Sequence, residues 1–317
     1  MEKFFGENPM LTHMLRNGFK DHPVRSVILS LYMLPVRNIL KPSEEIRTNK
    51  QTFIMSKEYY DELHGLLHIA KVEGFDLIRT GNEHDGGYIM LNDFETGDIA
   101  YSFGIAQNVV WDRDMASRGY DVFMYDHTID GLPEENPRYH WYKLGIGDGS
   151  GRDERLKTLE ELISRNGHEG KRDMILKMDV EGAEWGFLES VKQETLLQFR
   201  QIIFEFHGLL DAEKYGLGVS YSRILEMLSK INKTHQLIHL HPCNFRNYIS
   251  IDGKVYPDTI EASYVIRDKY KFIQDYDVNL PLKIDTPDRK YTPEIELGRW
   301  NEDKSGEGIA TSVVRIA

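Results

Sequence analysis

Cysteine is almost absent from this chain of 317 residues, because Cys243 is its one cysteine. A single cysteine excludes an intrachain disulfide framework and a zinc site built from several cysteines, and it is compatible with a reducing compartment. Excess positive charge is also lacking, since the formal net charge is −12. Binding of nucleic acid requires basic patches that neutralise phosphates, so this charge predicts a protein with no nucleic-acid partner.

Long apolar runs are missing as well. The most apolar stretch, residues 26–40, is too short to cross a bilayer and contains Pro35 and Arg37. Charged residues interrupt the first twenty positions, so no secretory leader is predicted. We therefore expect a chain with no membrane span and a cytoplasmic location. The hydrophobic content of 40% is what a packed core requires.

The spacing of apolar residues divides the chain into three parts. Residues 1–72 predict a helical extension, since Tyr59, Leu63 and Leu66 recur at helical spacing within a helix expected over 55–72. Residues 73–270 alternate between strands and helices, which predicts a doubly wound, mainly parallel Rossmann-like sheet. Residues 271–317 are charged and interrupted by proline, and this pattern is typical of an extended C-terminal arm.

The alternating part gives seven strand and four helix predictions. The strands are expected at residues 99–103, 121–125, 139–144, 174–178, 201–206, 236–240 and 262–267. The helices are expected at residues 109–118, 156–165, 185–191 and 221–231.

The turn after the first of these strands has the features of a nucleoside-binding site. Phe103 ends the strand, Gly104 follows it, and Asp126 ends the next strand about 20 residues later. A glycine at this point lets the main chain approach a nucleoside, and an acid at the second strand end can accept hydrogen bonds from ribose hydroxyls. A dinucleotide fingerprint needs three glycines, but Ala106 and Val109 stand where the others would fall. The pattern therefore favours an adenosine-type cofactor without a pyrophosphate.

A second group of residues follows two later strands. Asp179 comes directly after the strand at 174–178, and Glu205 and His207 share one face at the end of the strand at 201–206. These side chains are expected to meet at one rim of the sheet. A histidine with carboxylate neighbours can act as a general base, and the three residues together could bind a divalent cation. A structural His–Glu pair, and a helix-starting role for Glu184, remain as simpler interpretations.

These motifs, in this order, resemble the FkbM-type family of S-adenosylmethionine-dependent methyltransferases. The resemblance extends from about residue 79 to residue 264. It is carried by the segments 85–88 (DGGY), 102–104 (SFG), 179–185 (DVEGAEW), 205–207 (EFH) and 241–244 (HPCN). It implies a Rossmann-like class I methyltransferase fold with S-adenosylmethionine as the cofactor.

The resemblance also implies roles for particular residues. Gly104, after Phe103, would lie against the methionine portion of the cofactor, and Asp126 would bind the ribose. The adenine would be flanked by His127 and approached by Ile146, Gly147 and Asp148, and the loop of Asp85, Gly86 and Gly87 would close over the site. For that loop, a simple Asp-Gly turn without a ligand is the alternative.

Methyl transfer requires an acceptor whose proton is removed. His207, Asp179 and His241 are the candidate bases, and Asp179, Glu205 and His207 would be the ligands if a metal lowers the pKa of the acceptor. The resemblance favours O-methylation of a sugar hydroxyl, on a nucleotide-linked sugar or a surface-polysaccharide precursor. Arg79, Arg246 and Arg267 are candidates for receiving its phosphates.

Several alternatives stay open at this point. The acceptor could be a secondary metabolite, or the enzyme an NAD-dependent dehydrogenase or epimerase. The same residues are also compatible with a metal-dependent hydrolase or with a non-catalytic binding subunit. The apolar N-terminal segment is compatible with a homo-oligomer contact.

Overall fold

The computed structural model describes residues 49–94, 99–210 and 220–302. The prediction of further N-terminal helix and the apolar stretch at 26–40 lie outside the described residues. Among the described helices, none is long and apolar enough to cross a membrane. The helices are α1 (Asn49–Leu66), α2 (Val110–Ser117), α3 (Leu159–Arg165), α4 (Glu184–Ser190), α5 (Gln193–Leu196) and α6 (Tyr221–Asn232).

Strands occur along the whole described part of the chain. They are β1 (Lys71–Val72), β2 (Leu77–Thr80), β3 (Tyr88–Leu91), β4 (Ile99–Phe103), β5 (Asp121–Tyr125), β6 (Tyr139–Tyr142), β7 (Gly145–Ile146), β8 (Leu156–Lys157), β9 (Met174–Met178), β10 (Phe199–Phe206), β11 (His235–Pro242), β12 (Tyr248–Ile251), β13 (Lys254–Pro257), β14 (Ile260–Ile266), β15 (Phe272–Ile273), β16 (Asn279–Leu280) and β17 (Gly298–Arg299).

Seven of these strands form the central sheet, in the order β11-β14-β10-β9-β4-β5-β6. Strands β6, β5, β4, β9 and β10 pair in parallel, and β14 lies antiparallel between β10 and β11. Strand order reverses between β4 and β9, which is the switch point where doubly wound sheets bind ligands. The predicted Rossmann-like, doubly wound, mainly parallel fold is confirmed.

The two faces of the sheet are covered by different layers. Side chains alternate along each strand, so Tyr101 joins the larger apolar cluster with α1, α3, α4 and α6, whereas Ala100 joins a cluster with α2 and β3. Strand β9 is buried along its full length, because helices or the β2–β3 hairpin cover both faces. Because both faces are buried, such parallel strands appear in the sequence as mainly apolar runs.

The helix expected over 156–165 begins later, at Leu159. Thr158 and Glu161 form a reciprocal capping box, in which each side chain accepts the backbone N–H of the other residue. This cap fixes the helix start, and the two residues before it, Leu156 and Lys157, form β8 and pair with β7 instead. The helix expected over 55–72 ends at Leu66, so Ala70 follows it in extended chain and donates its N–H to Leu237.

Strands β2 and β3 form an antiparallel hairpin that the sequence pattern did not predict. The hairpin packs over β10, β14 and β11. The Gln201 amide of β10 accepts from the Leu91 N–H and donates to the Leu91 carbonyl, at 3.0 and 3.1 Å. The connection between β2 and β3 contains Asp85, and this anchoring holds that connection above the switch point.

The segment predicted as an extended arm is packed against the domain over its described part, residues 271–302. Strand β15 pairs with β1, and β16 pairs with β17. The Trp300 indole N–H donates to the Leu67 carbonyl at 2.8 Å, and Asn301 pairs with both backbone groups of Ile69. These contacts attach the end of the described chain to the C-terminus of α1.

The Asn301 contacts generate a stability prediction. The side chain accepts from the buried Ile69 N–H at 3.1 Å and donates to the Ile69 and Tyr276 carbonyls at 2.7 and 2.8 Å. Asn301→Ala leaves these backbone groups unpaired, so we expect a loss of about 2–3 kcal/mol in the free energy of unfolding, measured by urea titration. Asp277→Ala, which removes an exposed ion pair to Arg299, should change it by less than about 1 kcal/mol. Equal effects of the two substitutions would contradict the assignment.

Candidate functional site

A cavity of about 340 Å³ lies at the carboxyl ends of the central strands, at the switch point between β4 and β9. Its volume is within the range of small-molecule sites, about 300–1,000 Å³. Its lining combines apolar and charged side chains. The lining residues are Asp85, Gly86, Tyr88, Gly104, Ile105, Ala106, Asn108, Trp111, Asp112, Tyr125, Asp126, His127, Thr128, Gly145, Ile146, Lys177, Asp179, Val180, Glu181, Ala183, Glu205 and Phe245.

The Gly104 turn brings the ends of β4 and β9 into direct contact. Gly104 has a φ of +75°, and a Cβ atom built there would lie 1.5 Å from the Asp179 carbonyl oxygen. No side chain fits at this point. The Gly104 carbonyl accepts from the Lys177 ammonium at 2.7 Å, which fixes the turn from the side of β9. The glycine is therefore required by the close approach of two main chains.

Asp126 organises the loop that follows Gly104. One carboxylate oxygen accepts the Ile105 and Ala106 N–H groups at 3.0 and 2.8 Å, and the other accepts the Thr128 N–H and hydroxyl at 2.8 and 2.6 Å. Burial alone would raise the pKa of Asp126, but these hydrogen bonds outweigh burial and lower it. The carboxylate thus already has four donors, and its contact with a ribose stays a prediction.

The other residues predicted to bind the cofactor separate into two sets. His127 and Ile146 line the cavity beside Gly145, where a Cβ would meet the His127 ring at 2.5 Å. Phe103 lies in the core and stacks on Tyr125 with ring centroids 5.0 Å apart.

Two further members of that predicted group lie outside the cavity lining. Gly147 packs against Leu156, and Asp148 accepts the Ser150 N–H at 2.8 Å in a surface turn. His127 and Ile146 therefore belong to the cavity lining, whereas Gly147 and Asp148 lie outside it.

The loop of Asp85, Gly86 and Gly87 lies at the cavity, and its contact with a ligand stays a prediction. It is the connection of the β2–β3 hairpin, and Asp85 and Gly86 also line the cavity. Gly87 instead packs against the Asn82 carbonyl. The Asn108 amide donates to the Asp85 carbonyl at 3.0 Å and so joins this loop to the start of α2.

Asp179, Glu205 and His207 are brought together as predicted, with ligand-type atoms all within 4.8 Å of one another. His207 Nε2 lies 3.3 Å from a Glu205 oxygen, and its Nδ1 lies 3.2 Å from Glu184. Glu184 is fully buried and also accepts the Val180 N–H at 2.8 Å. Asp179 and Glu205 face the cavity, whereas His207 lies behind them.

The pKa values of the clustered side chains are shifted from their ordinary values by burial and by neighbouring charges. Burial alone lowers the pKa of His207, but Glu184 and Glu205 outweigh burial and raise it to about 11. Burial and the charge of Asp179 raise the pKa of Glu205 to about 7. Burial also raises the pKa of Glu184, against the effect of His207. The two carboxylates therefore favour the protonated form of His207.

Four residues at the site were not among the predicted functional side chains: Lys177, Tyr88, Asp112 and Glu184. Tyr88 donates to an Asp179 oxygen at 3.4 Å, and Lys177 lies 3.7 Å from the same carboxylate. Asp112 is buried in α2 and lines the cavity. A lysine inside the apolar strand at 174–178 was a signal available in the sequence, since buried lysines need a partner.

The remaining candidates lie elsewhere. His241 is completely buried on β11 and is not part of the cavity lining. Arg246 donates to Glu181 at 3.1 Å, at the cavity rim. Arg79 donates to the Asn82 carbonyl below the hairpin, and Arg267 donates to carbonyls at the start of β11, at the opposite end of the sheet. Of the three arginines, Arg246 contacts a residue of the cavity lining, Glu181.

The fold and the site define a class: a Rossmann-like protein of the methyltransferase type, with one glycine turn at the switch point and acids on the rim. Residues 124–246 match the model of the methyltransferase FkbM domain. This match confirms the resemblance and supports a methyltransferase. It covers Asp126, Asp179, Glu205 and His207. No curated protein matches the chain.

Two solved structures show similarity at 12% identity. One, from Anabaena variabilis ATCC 29413, is described as a methyltransferase from an antibiotic biosynthesis pathway; the similarity covers 47% of this chain and 61% of that one, with a TM-score of 0.27. The other, from Streptococcus thermophilus, is described as a hemolysin. The similarity covers 58% of this chain and 72% of that one, with a TM-score of 0.32. The chain thus spans less than two thirds of the first structure, and the fold assignment rests on its own topology.

The Gly104 contact generates a prediction. Gly104→Ala places a methyl group against the Asp179 carbonyl in a left-handed backbone conformation, so we expect a loss of about 3 kcal/mol or more, measured by chemical denaturation. Gly131→Ala is the matched control, since a Cβ there meets nothing within 4 Å. The control should change stability by less than about 0.5 kcal/mol. Two equally stable variants would show that the contact imposes no constraint.

Proposed function

We propose that the chain is an S-adenosylmethionine-dependent O-methyltransferase acting on a sugar hydroxyl. The observation that carries this proposal is that one cavity joins the Gly104 turn and the Asp126 loop to the carboxylates of Asp179 and Glu205. The first pair of features suits a nucleoside cofactor, and the second suits proton removal from an acceptor. The FkbM domain match over residues 124–246 supports the same reaction class.

The residues of the cavity fit the proposed cofactor. Gly104 contributes main chain alone to the cavity lining, and Ile146 with His127 offers an apolar and aromatic wall for an adenine. Asp112 is fully buried, lines the cavity, and has one carboxylate oxygen without a hydrogen-bond partner among the described residues. Asp112 and Lys177 together would face the ammonium and carboxylate of the methionine portion.

When bound, this cofactor supplies an electrophilic methyl group on a sulfonium sulfur. The protein has to place the acceptor oxygen in line with that methyl group, exclude water and take the acceptor proton. Asp179 is the carboxylate we propose for the proton. It faces the cavity beside Gly104, and Tyr88 and Lys177 hold its carboxylate from two sides.

His207 has a positioning role in this scheme. It lies between Glu184 and Glu205 and is held by both, and its positive charge stabilises the two buried carboxylates. A divalent cation held by Asp179, Glu205 and His207 is the alternative means of lowering the acceptor pKa. Chelation followed by an activity assay separates the two routes, because the proton route is insensitive to a chelator.

The acceptor class follows from the family resemblance and from the polar rim of the cavity. A sugar hydroxyl, on a nucleotide-linked sugar or a polysaccharide precursor, fits carboxylate acceptors at Asp85, Asp179 and Glu181, with Arg246 placed to meet a phosphate. A secondary-metabolite hydroxyl is the second candidate. An NAD-dependent reaction is disfavoured because Ala106 and Val109 occupy the positions where two further glycines would receive the pyrophosphate.

The cofactor assignment is tested by calorimetric titration. We expect S-adenosylhomocysteine to bind the wild-type chain with a stoichiometry of about one, and NAD to give no heat of binding. Binding of NAD in place of S-adenosylhomocysteine would overturn the proposal in favour of a dehydrogenase or epimerase.

The catalytic assignment predicts a separation of binding from turnover. With a panel of nucleotide sugars as acceptors, Asp179→Asn should lower the kcat for formation of S-adenosylhomocysteine by about 100-fold or more. The Kd of the cofactor should stay nearly unchanged. The control is Asp130→Asn, since this exposed acid contacts Lys143 and is not part of the cavity lining. Unchanged turnover in Asp179→Asn would exclude Asp179 as the base.

A further inference from the structure

A second cluster of metal-binding side chains lies on the same sheet, outside the cavity. It consists of His241 on β11, Glu261 on β14 and Asp288 in the segment after β16, with ligand-type atoms all within 4.8 Å of one another. His241 and Glu261 are directly opposite each other in the antiparallel register of β11 and β14. We call these three residues the β11–β14 cluster. None of them lines the cavity.

The β11–β14 cluster holds buried polar atoms that the described residues leave without hydrogen bonds. His241, Glu261 and Asp288 are 0%, 4% and 6% exposed. Both Asp288 oxygens, one Glu261 oxygen and His241 Nδ1 have no hydrogen-bond partner within the described ranges. Buried carboxylates are normally paired or bound to a metal, because an unpaired charge in the interior is costly. Two such residues facing one histidine nitrogen therefore form a donor set for a cation.

The histidine of the cluster is oriented for coordination. Its Nε2 lies 3.3 Å from a Glu294 oxygen, whereas its Nδ1 lies 3.4 Å from Glu261. If Nε2–H donates to Glu294, the Nδ1 lone pair faces Glu261 and Asp288. This is the carboxylate–histidine–metal arrangement, in which the outer carboxylate fixes the tautomer of the ligand.

The loop that supplies Asp288 and Glu294 is held independently of any ion. The Asn244 amide accepts the Arg289 N–H at 2.9 Å and donates to the Arg289 and Thr292 carbonyls at 3.1 and 2.8 Å. On the other side, Asp285 pairs with His239 at 3.1 Å. The three ligands therefore face one another in a preformed site.

The arginines near the cluster are engaged with other groups. Arg246 is engaged with Glu181, and the Arg289 guanidinium lies over the Phe245 ring, 4.8 Å from its centroid. The remaining close groups, Glu205 and Asp285, are acidic. Burial lowers the pKa of His241, but Glu261 and Glu294 outweigh burial and raise it. A divalent cation bound at Nδ1 takes the place of a proton there and balances the charge of the carboxylates.

We propose that His241 Nδ1, Glu261 and Asp288 bind one divalent transition-metal ion, separate from the cofactor cavity. One imidazole and two carboxylates suit Zn²⁺, Mn²⁺ or Fe²⁺ better than Mg²⁺ or Ca²⁺, which prefer ligand sets of oxygen alone. Because the ligands come from β11, β14 and the C-terminal segment, the ion attaches that segment to the edge of the sheet. This inference is independent of the proposed function.

The proposal is tested by metal analysis of the full chain after removal of metal with a chelator. Zn²⁺ and Mn²⁺ are added back separately, and bound metal is counted by mass spectrometry of the metal content after gel filtration. Wild type should retain one equivalent that Asp288→Asn loses, and metal should raise the Tm of wild type alone. Glu294→Gln should weaken this site by about 10–100-fold through the histidine tautomer.

Two controls keep the result specific. Asp179→Asn removes a ligand of the cavity cluster and should retain the one equivalent of metal bound at the β11–β14 cluster. Co²⁺ loaded into the wild type should give visible absorption bands that Asp288→Asn lacks. Metal content that is equal in wild type and Asp288→Asn, or absent from both, overturns the proposal. Calorimetry with S-adenosylhomocysteine on Asp288→Asn should match wild type, so that failure of the metal site and failure of the cofactor assignment are distinguishable.

Discussion

The contact between the main chains of Gly104 and Asp179 is the constraint on which the site depends. Strands β4 and β9 are neighbours, yet their connections leave toward opposite faces of the sheet, and the turns after them meet at Gly104 with no room for a side chain. Lys177 and Asp126 then hold the turn after β4 through their hydrogen bonds to its backbone. The cavity wall at this point is therefore built from main chain, which allows close approach by a ligand.

Buried charge is concentrated at the same end of the sheet. Glu205 lies opposite Glu261 on β14, and Glu261 lies opposite His241 on β11, so acids and histidines form a row across three strands. His207 pairs with Glu205 beside the cavity and, through its other ring nitrogen, with Glu184. Charges are costly to bury, and their concentration at one sheet end is typical of functional sites rather than of structural cores. The row thus links the cavity to the β11–β14 cluster.

Most of the central sheet could be predicted because its strands are buried on both faces and therefore appear as short, continuous apolar runs. The proximity of Asp179, Glu205 and His207 could also be predicted, since the carboxyl ends of parallel strands lie at one edge of the sheet. The β2–β3 hairpin was missed because its strands are four residues each and lack a clear alternation. Glu184 was expected to serve the first turn of a helix, but burial against His207 gives it a second role.

The sequence by itself determined the fold class, the glycine turn and the acidic rim, because these depend on local periodicity and on which residues end each strand. Tertiary structure decided which of the candidates share one space. His241 left the predicted site because β14 inserts antiparallel between β10 and β11 and places Glu261 beside it. Asp288 joined His241 only through the packing of a segment without regular periodicity, and such long-range packing leaves no local pattern in the sequence.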